Sequence, residues 1–225
     1  MTSNRGVSKG FAKDFLESIR AWKSRRDADT RPLVDGALEA GPFDDPSLTV
    51  AGAAKFTEGW KTLQLLHTFT LLYRPRTILE LGSNVGFSAA YLAAGQKAAG
   101  VHGTVHTIDA SPYRERLARE VHEDLGLDNI RRYVGLFDDV LPGVLAALDT
   151  IDLTFIDGHH EYEPTLRYFQ LIAPKCPEGS VIFFDDIASY SGDMRRAWAE
   201  IQADERVYAF SEIGEIGIVV LGGAR

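Results

Sequence analysis

Apolar positions change their period along the chain, and the changes divide it into elements. Phe11, Phe15, Ile19 and Trp22 recur at helical spacing, predicting an amphipathic helix over about residues 11–26. Lys13, Arg20, Lys23, Arg25 and Arg26 decorate its other faces. Its apolar stripe packs on the body of the protein or on a second subunit, so this helix is also the candidate homodimer contact. Residues 27–49, rich in Pro, Gly and Asp, predict a loop that is either disordered or a lid over a site. Phe56, Trp60, Leu63 and His67 then restore a helical pattern.

From Thr77 onward short apolar runs alternate with helical stretches. Strands are predicted at 77–81, 104–109, about 130–135, 151–157 and 180–185. Helices are predicted to open after Gly86, at Ser111-Pro112, and over about 138–148 and 162–172, with a last one carrying Met194, Trp198 and Ile201. Two closing runs, 207–210 and 216–221, predict a hairpin, so one of them runs antiparallel. The pattern is α/β: a doubly wound, mostly parallel sheet of about seven strands. An N-terminal helix and lid segment, 1–55, precedes a domain over 56–225.

Composition narrows the function classes. The 225 residues are 45% hydrophobic and 25% charged, ordinary for a globular protein. A net charge of −8 argues against nucleic-acid or anionic-membrane partners. No apolar run approaches the ~20 residues that cross a bilayer. The N-terminus lacks a signal-peptide core, and the single cysteine, Cys176, fits a reducing cytoplasm. Next to Pro177 at a helix end, Cys176 reads as a bystander thiol rather than a nucleophile.

Candidate chemistry gathers at the strand ends, where such sheets bind ligands. The first strand stops at Gly82-Ser83-Asn84, and Gly86 opens the next helix. Glycines at a strand-to-helix turn bring backbone N–H groups and a helix N-terminus close to a ligand. Asp109 ends the second strand and suits a ribose diol. Its bland alternative is a helix-capping carboxylate. No lysine has a tyrosine four residues earlier, which demotes a short-chain hydride-transfer enzyme. Asp157 ends the fourth strand and Asp185-Asp186 the fifth. Three converging carboxylates repel unless a pKa rises or a cation binds, and all-oxygen ligation favours Mg²⁺. His160 stands beside them as a candidate proton acceptor.

These residues resemble a known family. Glu80-Leu-Gly-Ser-Asn-Val-Gly-Phe-Ser88 is similar to motif I of class I S-adenosylmethionine-dependent methyltransferases, with the pattern Glu-[Leu/Ile]-Gly-x-x-x-Gly-[Tyr/Phe]-Ser of catechol and caffeoyl-CoA O-methyltransferases. Residues 155–162 and 179–186 resemble the same enzymes and small natural-product O-methyltransferases, and the likeness spans 56–221. It implies a Rossmann-like methyltransferase fold and an S-adenosylmethionine cofactor. Gly82, Asn84 and Ser88 would then line the methionine part, with Glu80 supporting the turn and Ser83 and Gly86 also in the cofactor-binding set. Asp109 would take the ribose, Leu136 and Phe137 the adenine, and Asp138 its amino group. Asp157, Asp185 and Asp186 would hold the metal, with Asp157 also near the cofactor. His160 falls where catechol-type enzymes carry a lysine base, which leaves His160 and His159 both open as bases. Asp186 replaces an asparagine of the catechol type.

The expected activity is Mg-dependent methyl transfer to a hydroxyl of a small catechol, phenol or sugar, such as a natural-product intermediate. The alternatives are a metal-independent O- or N-methyltransferase and a non-catalytic cofactor-binding protein.

Overall fold

A computed structural model describes residues 7–56, 59–188 and 192–223, with side chains from residue 14 onward; Phe11 therefore lies outside the described side chains. Seven strands form one sheet in the order β3-β2-β1-β4-β5-β7-β6. They are β1 (Thr77–Leu81), β2 (Thr104–Asp109), β3 (Ile130–Val134), β4 (Leu153–Ile156), β5 (Val181–Phe184), β6 (Val207–Ile213) and β7 (Ile216–Leu221). All neighbouring pairs among β1 to β5 are parallel, and β7 runs antiparallel to both β5 and β6. The closing hairpin predicted from the sequence is therefore present.

Helices cover both faces: α1 (Val7–Asp27), α2 (Val50–Ala54), α3 (Trp60–Tyr73), α4 (Phe87–Ala98), α5 (Pro112–Asp124), α6 (Phe137–Ala147), α7 (Tyr162–Ile172) and α8 (Asp193–Gln202). Alternation along the strands feeds two cores. Val181 and Phe183 enter the one that holds Phe15, Ile19, Leu63 and Tyr91, and Ile182 and Phe184 enter the one that holds Leu145, Phe169 and Trp198. The apolar stripe of α1 is thus spent on the chain's own body: Phe15 and Ile19 share a cluster with Leu33, Val50 and Ala53. No described helix is long and apolar enough to cross a membrane.

The differences from the sequence reading have local causes. Thr49 ends the predicted loop by capping a helical turn, its hydroxyl accepting from Gly52 N–H at 3.0 Å. This five-residue α2 is too short to leave a periodic signature. Phe56 stands outside α3 and is exposed. The fourth strand begins at Leu153 because the Asp152 carboxylate turns aside to accept from the Arg76 and Thr77 N–H groups. β6 continues to Ile213 through exposed residues that no apolar run marks. Cys176 is a bystander by geometry too: its thiol points at Ile172 O, and burial pushes its pKa up to about 12.

Sheet register sets the site. Leu81 pairs with Ile108 and Ile156, and Ile156 with Phe184. The next residues, Gly82, Asp109, Asp157 and Asp185, therefore stand in a row along one sheet edge. The order also reverses at β1, whose two neighbours leave in opposite directions, and this opens a crevice at that edge.

Candidate active site

The crevice is a cleft of about 690 Å³. Gly82, Asn84, Asp109, Leu136, Phe137, Asp138, Asp157, His160, Asp185 and Asp186 line it, as the strand ends predict. Glu80, Ser83, Gly86 and Ser88 do not; Glu80, Ser83 and Ser88 are buried beneath it. Residues that the sequence reading did not place at the site complete the wall: Phe43, Lys55, Phe56, Ser111, Arg114, Gly158 and Tyr168, with His159 beside them. Phe43 and Lys55 belong to irregular chain with no periodicity to betray them, and the helical spacing of Phe56 points to a core face instead.

At the centre, two backbones touch. Gly82 adopts φ +98°, and a Cβ there would lie 1.8 Å from Asp157 O, so only glycine lets β1 and β4 end side by side. Asn84 follows in the left-handed region at φ 44°. Its N–H donates to Asp109 Oδ2 at 2.8 Å, and Ser111 N–H donates to Asp109 Oδ1 at 2.9 Å. Asp109 is therefore both a loop-bracing carboxylate and a cleft residue. Burial holds its pKa above the usual range, against the pull of Ser111 N–H and Arg114. Asn84 Nδ2 donates to Ala53 O at 3.0 Å, which ties α2 to the glycine turn.

The segment ahead of α2 closes over the β2 end. The Tyr113 hydroxyl donates to Leu38 O at 2.6 Å and accepts from Gly36 and Leu38 N–H at 3.1 Å. The Ser111 hydroxyl donates to Asp44, and Arg116 pairs with Asp35 at 2.9 Å. Ser111 also caps α5 through Arg114 N–H, as its place before Pro112 predicts.

Glu80 lies below the turn. Its carboxylate accepts from the Thr107 hydroxyl, and burial drives its pKa up to about 8 while Thr107 and Ser88 pull it down. A carboxyl with a folded pKa above its unfolded value near 4.5 weakens the fold as pH rises through that interval. His122 acts in the opposite sense. It is buried against Gly86 O, with its pKa lowered to about 4 chiefly by burial, so its contribution is lost as pH falls from 6.5. Near pH 6.5 the unfolded chain still protonates His122, and His67 and His106, whose folded pKa values burial also lowers. These histidines stabilise as pH rises, opposite to Glu80, so the Glu80 contribution is the difference between wild type and Glu80→Gln. The Glu80 contribution to unfolding free energy should fall by about 1.5 kcal/mol between pH 6.5 and 8. Glu80→Gln should remove most of this slope in urea melts at the two pH values.

At the β4 and β5 ends, Asp157, His160 and Asp185 place one ligand atom each within 4.8 Å of one another. His160 Nε2 is 3.5 Å from Asp157 Oδ1, and Nδ1 is 3.9 Å from Asp186 Oδ2. The tightest group thus includes the imidazole, with Asp186 at its rim. His159 and Asp186 both sit at φ 56°. His159 Nδ1 lies 2.9 Å from the Tyr168 hydroxyl, whose ring meets Phe137 edge-on. Arg167 holds Asp138 through paired contacts of 3.0 and 2.9 Å. Gly158 leaves room for the Phe137 ring, 3.1 Å from where a Cβ would stand.

Residues 79–187 match the methyltransferase-domain family. A catechol O-methyltransferase of Sus scrofa is 30% identical over 137 residues, 57% of this chain and 69% of that protein. The chain belongs to the class I S-adenosylmethionine-dependent O-methyltransferases. A catechol O-methyltransferase of Mycobacterium tuberculosis is 29% identical to this methyltransferase over 170 residues, 72% of this chain and 74% of its own. An O-methyltransferase from Bacillus cereus, solved with S-adenosylhomocysteine, superposes with a TM-score of 0.64 at 24% identity, covering 76% of this chain and 85% of that one. S-adenosylmethionine is the methyl donor of the family, and the cleft of this methyltransferase fits it. A buried carboxylate stands at the β2 end, an aromatic ring at Phe137, and a backbone turn at Gly82. The Asn84 side-chain oxygen in that turn is buried with no hydrogen-bond partner among the described residues.

Proposed function

We propose that this enzyme methylates a hydroxyl oxygen of a small molecule with the help of a divalent cation, Mg²⁺, held by Asp157, Asp185 and Asp186. The observation that carries the reading is the convergence of Asp157, His160 and Asp185 in the same cleft as Asp109. The donor set is chemically apt, since carboxylate oxygens suit a hard cation. Bound there, the cation would polarise an acceptor hydroxyl and favour its ionised form. The acceptor oxygen then takes the methyl group, the S–CH₃ electron pair stays on sulfur, and S-adenosylhomocysteine leaves.

The chain's residues supply the rest. Asp109 takes the ribose hydroxyls, and Leu136 and Phe137 enclose the adenine with Asp138 at its edge. Residues 27–49, within the N-terminal segment 1–55, serve as the lid over the nucleoside end. His160 receives the acceptor's proton. A second assignment of the base is favoured by one distance. His160 Nε2 stands only 3.5 Å from Asp157, close enough to join the ligands, and the proton then goes to His159. His160→Gln would weaken metal binding in the second case and only turnover in the first.

The test is calorimetric titration of the chelator-stripped protein with Mg²⁺, beside labelled methyl transfer to a panel of catechols, phenols and glycosides. One-site binding, silence in EDTA and recovery with Mg²⁺ are expected. Full turnover by the stripped protein overturns the metal role and leaves metal-independent O- or N-methylation. The related catechol O-methyltransferases put catechols first in the panel.

A further inference from the structure

The amino-acid end of S-adenosylmethionine carries a carboxylate, and this cleft is a poor place for one. Asp109, Asp138, Asp157, Asp185 and Asp186 all line it. A further negative group among them is stabilised by a cation at short range as well as by backbone N–H groups, because like charges in a partly desolvated cleft repel strongly. The lysine and arginine side chains that line the cleft are Lys55 and Arg114.

Their places in the fold differ. Arg114 sits in the first turn of α5, three residues past Ser111 and close enough to Asp109 to lower its pKa. That is the nucleoside end. Lys55 is the residue that closes α2, its N–H donating to Gly52 O at 3.3 Å. Two residues earlier, Ala53 O takes the Asn84 side-chain amide at 3.0 Å. α2 is thereby pinned to the Gly82–Asn84 turn, and Lys55 with it. Arg167 neutralises Asp138 at the far wall, whereas Lys55 has no ion-pair partner among the described residues.

We infer that Lys55 is the counter-ion of the methionine carboxylate. The assignment rests on S-adenosylmethionine being the donor and does not depend on the metal. It adds to the packing role that Val50, Ala53 and Ala54 of α2 already have in the core. The Thr49 cap, the short helix and the Ala53–Asn84 hydrogen bond together deliver one ammonium group to the amino-acid end of the cofactor.

The test is a binding cycle with two ligands and two proteins. The ligands are S-adenosylhomocysteine and its decarboxylated analogue, and the proteins are wild type and Lys55→Met. A charge-assisted contact removed from either side is expected to weaken binding about tenfold. Removing both should weaken it no further, since the two changes delete one interaction. Lys55→Arg should keep most of the affinity for S-adenosylhomocysteine. Thermal melts of each variant report on the fold. Unchanged S-adenosylhomocysteine affinity in Lys55→Met overturns the proposal, even if the Michaelis constant of an acidic acceptor rises. Equal weakening of both ligands by the substitution also overturns it, because Lys55 then acts through the architecture. Failure of wild type to bind either ligand refutes the donor assignment instead.

Discussion

Asp157→Asn should lower kcat by about a thousandfold while the dissociation constant of S-adenosylhomocysteine changes only severalfold. On the proposed reading this carboxylate holds the cation and sits 3.5 Å from His160. Its neutral isostere keeps the shape and removes the charge. Electrostatic assistance from a bound cation is worth several kcal/mol, and each ~1.36 kcal/mol is a factor of ten in rate. Cofactor binding draws on Asp109, Phe137 and the Gly82 turn, which the substitution leaves in place. Single-turnover kinetics at saturating donor, with calorimetry for the product, separate the two effects. Equal losses in binding and rate would mean that Asp157 serves the cofactor alone.

Gly82→Ala should damage the fold and the site together. The new Cβ would overlap Asp157 O at 1.8 Å, in a backbone conformation of φ +98° that L side chains rarely adopt. Neither atom can swing aside, because both belong to chain fixed at strand ends: Gly82 N–H donates to Ile108 O and Asp157 N–H to Leu81 O, each at 2.9 Å. Overpacking and the positive φ together should cost about 3–5 kcal/mol. For a domain of this size that lowers the melting temperature by on the order of 10 °C. Binding of S-adenosylhomocysteine should vanish, because the displaced loop carries Asp157. Gly143→Ala is the control. It lies inside α6, and a Cβ added there would meet nothing within 4 Å, so alanine should raise stability by about 0.5–1 kcal/mol.

The strand ends are legible because each short apolar run stops at a glycine or an aspartate, and parallel register aligns the stops. Ser111-Pro112 announces α5 through capping chemistry alone. The family pattern has Glu80 supporting the turn and Ser88 lining the cofactor, and both are buried beneath the cleft. A strand carboxylate bonded to Thr107 looks the same in sequence as one at a rim. Phe43, Lys55 and Phe56 reach the cleft from irregular chain, whose course is set by tertiary contacts such as Tyr113 to Leu38. Tyr168 lies on α7, whose period marks it as a core residue and hides its hydrogen bond to His159. The sequence names both histidines, but their separation is geometric. One turns toward the acids and the other toward a tyrosine.

The knot of contacts joining residues 35–44 to the start of α5 also orders events at the ribosome. The chain's early residues are made first, but Ser111, Tyr113 and Arg116, which fasten them, emerge only after α2, α3, β1, α4 and β2 have been synthesised. Phe15 meets His67 and Tyr91, so even its cover comes from residues made well after it. The nascent N-terminus must therefore wait, sticky and unanchored, for segments translated later, and the β4 and β5 ends of the cleft are added only after it is fastened.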